Sequence, residues 1–129
     1  MNIKKIDHVA INVQDLNKSI MFYRDILGFE LLETIECDGF SISYLMTPDG
    51  SRMELFDYRG SSPEHIRPEN EIGLRHLAFY VEDVASHEKE LRNKGVEITL
   101  SACDLENLNS RVLLFLDPNG VTLEFCERL

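Results

Sequence analysis

Two histidines and two glutamates carry the chemistry open to this chain. His8 and His76 lie in alternating stretches, Ile6 to Val13 and Leu74 to Val81, while Glu54 and Glu124 lie in a second pair, Ser51 to Asp57 and Val121 to Glu127. Imidazole nitrogens and carboxylate oxygens bind divalent cations, and a carboxylate can also carry a proton between neighbouring atoms. A single strand histidine is ordinarily structural and a strand-end glutamate is ordinarily solvated. These four stand out because they recur together.

The sequence repeats itself at an offset of 67–70 residues: His8 maps to His76, Asp15 to Asp83, Gly28 to Gly95, Pro48 to Pro118 and Glu54 to Glu124. One plan is therefore written twice. Each copy opens with strand alternation and continues with helical spacing, Leu16, Ile20, Tyr23 and Leu27 in the first and Val84, Glu88 and Leu91 in the second. Asp15 and Asp83 stand at N-cap positions and Gly28 and Gly95 at the residue after the helix. The second helix is the more polar and is expected to be the more exposed. Three further strands follow in each copy, Glu30 to Glu36, Phe40 to Thr47 and Ser51 to Asp57, then Val96 to Ser101, Arg111 to Asp117 and Val121 to Glu127. Pro48-Asp49-Gly50 and Pro118-Asn119-Gly120 carry strong hairpin signals. The expected fold is α+β, two tandem βαβββ modules (residues 4–57 and 74–129) within one domain of residues 1–129. The segment 58–73 reads as a linker or lid, and Ala102 to Ser110 as an irregular interruption.

Alternation also sorts the faces. Ile6, His8, Ala10 and Asn12 oppose Asp7, Val9, Ile11 and Val13; Leu74, His76, Ala78 and Tyr80 oppose Arg75, Leu77, Phe79 and Val81. In the last strands Arg52, Glu54 and Phe56 oppose Met53 and Leu55, and Thr122, Glu124 and Cys126 oppose Val121, Leu123 and Phe125. The branched and aromatic faces are expected to pack on the helices. Both histidines and both glutamates then share the other face, and a pseudo-twofold axis with curled sheets would bring all four to one point. Two buried carboxylates need a cation, because unpaired charge out of water is costly. One divalent ion per site answers this, Ni²⁺, Co²⁺ or Zn²⁺ first and Fe²⁺ or Mn²⁺ next, with two octahedral positions left for water or substrate. His65 and His87 have no matching partner and are read as surface residues.

Composition narrows the classes. The chain has 129 residues, 13 Lys plus Arg against 23 Asp plus Glu, and a formal charge of −10. That is one domain's worth of chain with the wrong sign for tracking phosphate backbones, so no nucleic acid partner is expected. No run approaches the about 18 apolar residues of a membrane span, and a cytoplasmic location without membrane association is the expectation. Cys37, Cys103 and Cys126 form no C-x-x-C pair and read as reduced thiols.

Four segments resemble the vicinal oxygen chelate superfamily, the glyoxalase, bleomycin resistance and extradiol dioxygenase fold. They are Ile6-Asp7-His8-Val9-Ala10-Ile11-Asn12-Val13-Gln14-Asp15-Leu16, Phe22-Tyr23-Arg24-Asp25-Ile26-Leu27-Gly28-Phe29, Leu74-Arg75-His76-Leu77-Ala78-Phe79-Tyr80-Val81 and Asp117-Pro118-Asn119-Gly120-Val121-Thr122-Leu123-Glu124-Phe125. The resemblance implies paired βαβββ modules in an open, cupped mixed sheet around a metal, with His8, Glu54, His76 and Glu124 as ligands, and a homodimer. A His, Glu, His, Glu set looks like glyoxalase I, a lactoylglutathione lyase type of enzyme. It implies a 1,2-proton shift on the hemithioacetal of a 2-oxoaldehyde and a thiol through a metal-bound enediolate. The metal acts as Lewis acid, Glu124 as base and Glu54 as its counterpart.

Two places depart from the glutathione-using type, Asn12 where an arginine is common and Asp57-Tyr58-Arg59-Gly60 where an Asn-Trp-Gly-like turn is common. The thiol of the small-molecule substrate is therefore open, and an anionic carrier would call on Arg52 first, then Arg59, Arg67, Arg75 or Arg111. Cys126 shares the face of Glu124 and reads as a small buried thiol. Two other functions are weighed: an epimerase of a CoA thioester, of the methylmalonyl-CoA epimerase type, and a metal-free binding module of the bleomycin resistance type.

Overall fold

The computed structural model describes residues 1–60, 63 and 67–129. His65 and part of the 58–73 segment lie outside the described residues. The chain forms two compact units, residues 1–64 and 65–129. Each holds a four-stranded mixed sheet and one helical stretch, the α+β repeat expected from the sequence.

In the first unit β1 (His8–Val13) is followed by α1 (Leu16–Ile20), a wider helical turn (Met21–Ile26), β2 (Glu30–Glu36), β3 (Ser41–Met46) and β4 (Arg52–Asp57). The sheet order is β1-β4-β3-β2, with β1 parallel to β4 and the other pairs antiparallel. The second unit repeats this with β5 (Leu77–Tyr80), α2 (Val84–Asn93), β6 (Ile98–Leu105), β7 (Ser110–Leu116) and β8 (Thr122–Arg128) in the order β5-β8-β7-β6. The first strand of each unit thus joins its sheet beside the last. That crossover sets a histidine strand next to a glutamate strand.

The branched faces form the cores. Ile11, Val13, Leu45, Met53 and Leu55 are buried in the first unit, and Leu113, Phe115, Leu123 and Phe125 in the second. Asp15 and Asp83 cap their helices by accepting from the Lys18 and Ser86 backbone N–H groups. Gly28 and Gly95 take φ of 80° and 76°, the left-handed conformation that closes a helix without a Cβ penalty. Both Asp-Gly and Asn-Gly turns close hairpins, with Thr47 N–H bonded to Ser51 O and Asp117 N–H to Val121 O. Only Val84 and Leu91 of α2 are buried, as its polarity implies.

Four expectations need correction. The first helix keeps α geometry only to Ile20; the wider turn after it, with Leu27 N–H bonded to Phe22 O, lets the adjacent rings of Phe22 and Tyr23 both face inward. The opening strands begin at His8 and Leu77 rather than Ile6 and Leu74, whose exposed side chains lie ahead of any ladder. Ala102 to Ser110 is not an interruption: β6 runs to Leu105 through two register irregularities, and a tight turn (Glu106–Leu108) leads to β7. His87 is half-buried rather than a surface residue, its ring edge-on to Phe125 at 5.4 Å, because it follows the Asp83 cap by one helical turn on the inner side.

Glu88 ties α2 to β6. Its carboxylate accepts from Ala102 N–H at 2.8 Å and from Arg92, and these two partners, in that order, lower its pKa. A lowered folded-state pKa adds stability that is present above the unfolded value of about 4.3 and is lost as pH falls through the folded value. Glu88→Gln is therefore expected to cost about 1 kcal/mol at pH 7. In urea unfolding measured across pH, the gap to the unsubstituted chain should narrow progressively as the solution becomes more acidic than about pH 4.3.

Candidate functional site

The strand register of the first unit sets His8 opposite Arg52 and Ala10 opposite Glu54. Glu54 therefore lies on the face away from the core, diagonal to His8 and beside the small side chain of Ala10. His8 Nε2 stands 3.6 Å from Glu54 Oε2, and Arg52 Nη2 stands 3.3 Å from Glu54 Oε1. Glu54 is nearly sealed from water at 6% exposure, so these positive or polarisable neighbours are its compensation. The Arg52 guanidinium lies over the Tyr44 ring, 5.2 Å from its centroid.

Asp7 is placed differently from the expectation that set it on the core face. It precedes β1, so strand alternation does not govern it, and its carboxylate turns back to His8 Nδ1 at 2.9 Å and to Arg52 Nη2 at 3.1 Å. The His8 bond, and then the Arg52 charge, lower the Asp7 pKa. The sequence carried no signal for this, because alternation alone ran the strand from Ile6 and took in Asp7.

In the second unit Ala78 and Leu114 flank Glu124 across β5 and β7. His76, just ahead of β5, brings Nε2 to 3.1 Å from Glu124 Oε2. The other ring nitrogen of His76, Nδ1, is buried with no hydrogen-bond partner among the described residues. Thr122 and Arg75 occupy the positions that Arg52 and Asp7 hold in the first unit, and Arg75 bonds to Glu69 instead. Cys126, two residues beyond Glu124, donates to Phe79 O, and burial first, then the Glu124 charge, raises its pKa.

The structure thus brings His8 together with Glu54, and His76 together with Glu124, each pair within its own unit. Donors at about 2.0–2.2 Å from one ion, in adjacent tetrahedral or octahedral positions, are about 3.0–3.5 Å apart. The His76–Glu124 pair, at 3.1 Å, falls within that spacing and the His8–Glu54 pair, at 3.6 Å, just beyond it, and their nitrogen and oxygen donors suit a divalent cation. Among the described residues no group of three or more His, Cys, Asp or Glu side chains stands close enough to hold an ion. Of the other arginines, Arg59 pairs with Glu36, Arg67 with Glu71, and Arg111 with Asp104 and Glu127. Arg111 lies in register with Glu127, on the face of its sheet opposite Glu124.

Comparison with known proteins follows the same lines. The sequence profile of the Glyoxalase/Bleomycin resistance protein/Dioxygenase superfamily matches residues 5–125. The chain is 29% identical over 129 residues to a lactoylglutathione lyase of Haemophilus influenzae, covering 95% of this chain and 92% of that protein. It is 27% identical over 127 residues to the mitochondrial methylmalonyl-CoA epimerase of Mus musculus, covering 93% and 71%. Among solved structures, a glyoxalase family protein from Enterococcus faecalis superposes with a TM-score of 0.83 at 31% identity, covering 98% of this chain and all of that one. No described helix is long and apolar enough to cross a membrane.

Arg52→Leu removes the only guanidinium beside Glu54 among the described residues. Because Arg52 is itself 43% exposed, water shares its work and the expected loss is about 1 kcal/mol rather than that of a deeply buried pair. Urea unfolding of chelator-treated protein checks this.

Proposed function

The chain belongs to the Glyoxalase/Bleomycin resistance protein/Dioxygenase superfamily, and on that footing we propose that it is a metal-dependent lyase or isomerase of glyoxalase I type. It acts in the cytoplasm, as a homodimer, on the hemithioacetal of a small 2-oxoaldehyde and a thiol. The observation that carries the reading is the matched pair, one imidazole and one carboxylate at ligand spacing in each unit. His8, Glu54, His76 and Glu124 are the residues that hold the cation. When bound, a divalent ion such as Ni²⁺, Co²⁺ or Zn²⁺ polarises two adjacent substrate oxygens and stabilises the negative charge that develops on them.

The remaining work falls to side chains. Glu124 takes the proton from the carbon that bears sulfur and returns it to the neighbouring carbon, while the hydroxyl proton of the first carbon passes to the former carbonyl oxygen, leaving a 2-hydroxyacyl thioester with no change in overall composition. Glu124 suits the role because among the described residues it meets the His76 imidazole and no arginine or lysine, whereas Glu54 is braced by Arg52. Arg52, on the substrate face of β4, is also the residue best placed to meet an anionic thiol carrier.

Thioester formation at 240 nm, with methylglyoxal and glutathione and then with other thiols, tests the reaction. Chelator treatment should abolish it and added Ni²⁺, Co²⁺ or Zn²⁺ restore it. Glu124→Gln should keep most of its metal while kcat falls by about 10²–10⁴; full turnover in that variant removes Glu124 from its role. Exchange of the α-proton of methylmalonyl-CoA, without thioester formation from any hemithioacetal, would move the chain to the epimerase class.

A further inference from the structure

The two units offer equal donors but unequal support. In the second unit His76 Nδ1 is buried and unpartnered among the described residues, and nothing acidic stands at the position matching Asp7. In the first, the Asp7 carboxylate accepts from His8 Nδ1 at 2.9 Å and is itself held by Arg52 at 3.1 Å, while the same guanidinium reaches Glu54. An imidazole that donates from Nδ1 to a carboxylate presents a lone pair at Nε2, with its ring orientation set. Nε2 is the atom that faces Glu54.

We infer that Asp7, braced by Arg52, is a positioning residue that holds His8 in the Nδ1-protonated form with Nε2 aimed at the cation. The inference rests on the proposed function, since it assigns a role toward that same cation. The Asp7 side chain is two-thirds exposed, so its removal is expected to leave the fold intact. Arg52, by spanning Asp7 and Glu54, couples the orientation of both donors of the pair.

Cobalt alone, titrated into the chelator-stripped full chain, tests the assignment. Asp7→Ala should bind Co²⁺ about 10–100-fold more weakly than the unsubstituted chain. Asp7→Asn, which keeps an acceptor but no charge, should fall between the two. Asp25→Ala, which removes a surface carboxylate of the same unit paired only with Arg24, should bind within about twofold of the unsubstituted chain, a control for charge at a distance. Nitrogen-15 spectra of the stripped chain, recorded above the imidazole titration, should show His8 protonated at Nδ1, and Asp7→Ala should lose that preference; a structural role alone would not move this signal. Unchanged Co²⁺ affinity in Asp7→Ala, or a His8 ring protonated at Nε2 in the unsubstituted chain, overturns the Asp7 assignment and leaves the proposed function standing. Failure of the unsubstituted chain to bind Co²⁺ overturns both.

Discussion

A carboxylate almost closed off from water must have its charge answered nearby, and Glu54 is where this structure meets that demand. Its strand is buried on both sides for three consecutive residues, Met53, Glu54 and Leu55. An ordinary sheet would place an apolar residue at the middle position. Instead the sheet sets His8 and Arg52 around the carboxylate, and Tyr44 beneath the guanidinium. These contacts are what allow a ligand-type residue to persist in the ladder.

The mixed sheet makes this possible. Because the first strand of each unit inserts beside the last, residues some 46 to 48 positions apart become neighbours, and the parallel register sets the histidine two residues out of step with the glutamate. Parallel pairing requires a crossover, and the helical stretch supplies it while covering the apolar face. The face the helices leave uncovered is the face that carries both histidine–glutamate pairs.

The repeat presents two such faces, which differ around the same donors. The first unit has an acidic and a basic residue about its pair, Asp7 and Arg52, where the second has Arg75 and Thr122. The second unit instead spends its charged residues on architecture. Glu127 accepts from the first backbone N–H of α2 and meets Arg111, which in turn clamps Asp104 on β6.

The sequence by itself determined the repeat, the succession of elements along each copy, both Gly-containing turns, the helix caps and the face that His8 shares with Ala10 and Glu54 with Arg52. Those features follow from local rules: period-two alternation, capping chemistry and the conformational freedom of glycine. Only the tertiary structure decided where ladders begin, that Asp7 turns back on His8, that His87 packs on Phe125, and that Arg52 is already engaged by two carboxylates. Each of these depends on what a neighbouring strand, tens of residues away, leaves unpaired at a strand end or helix face, and local periodicity carries no record of that neighbour.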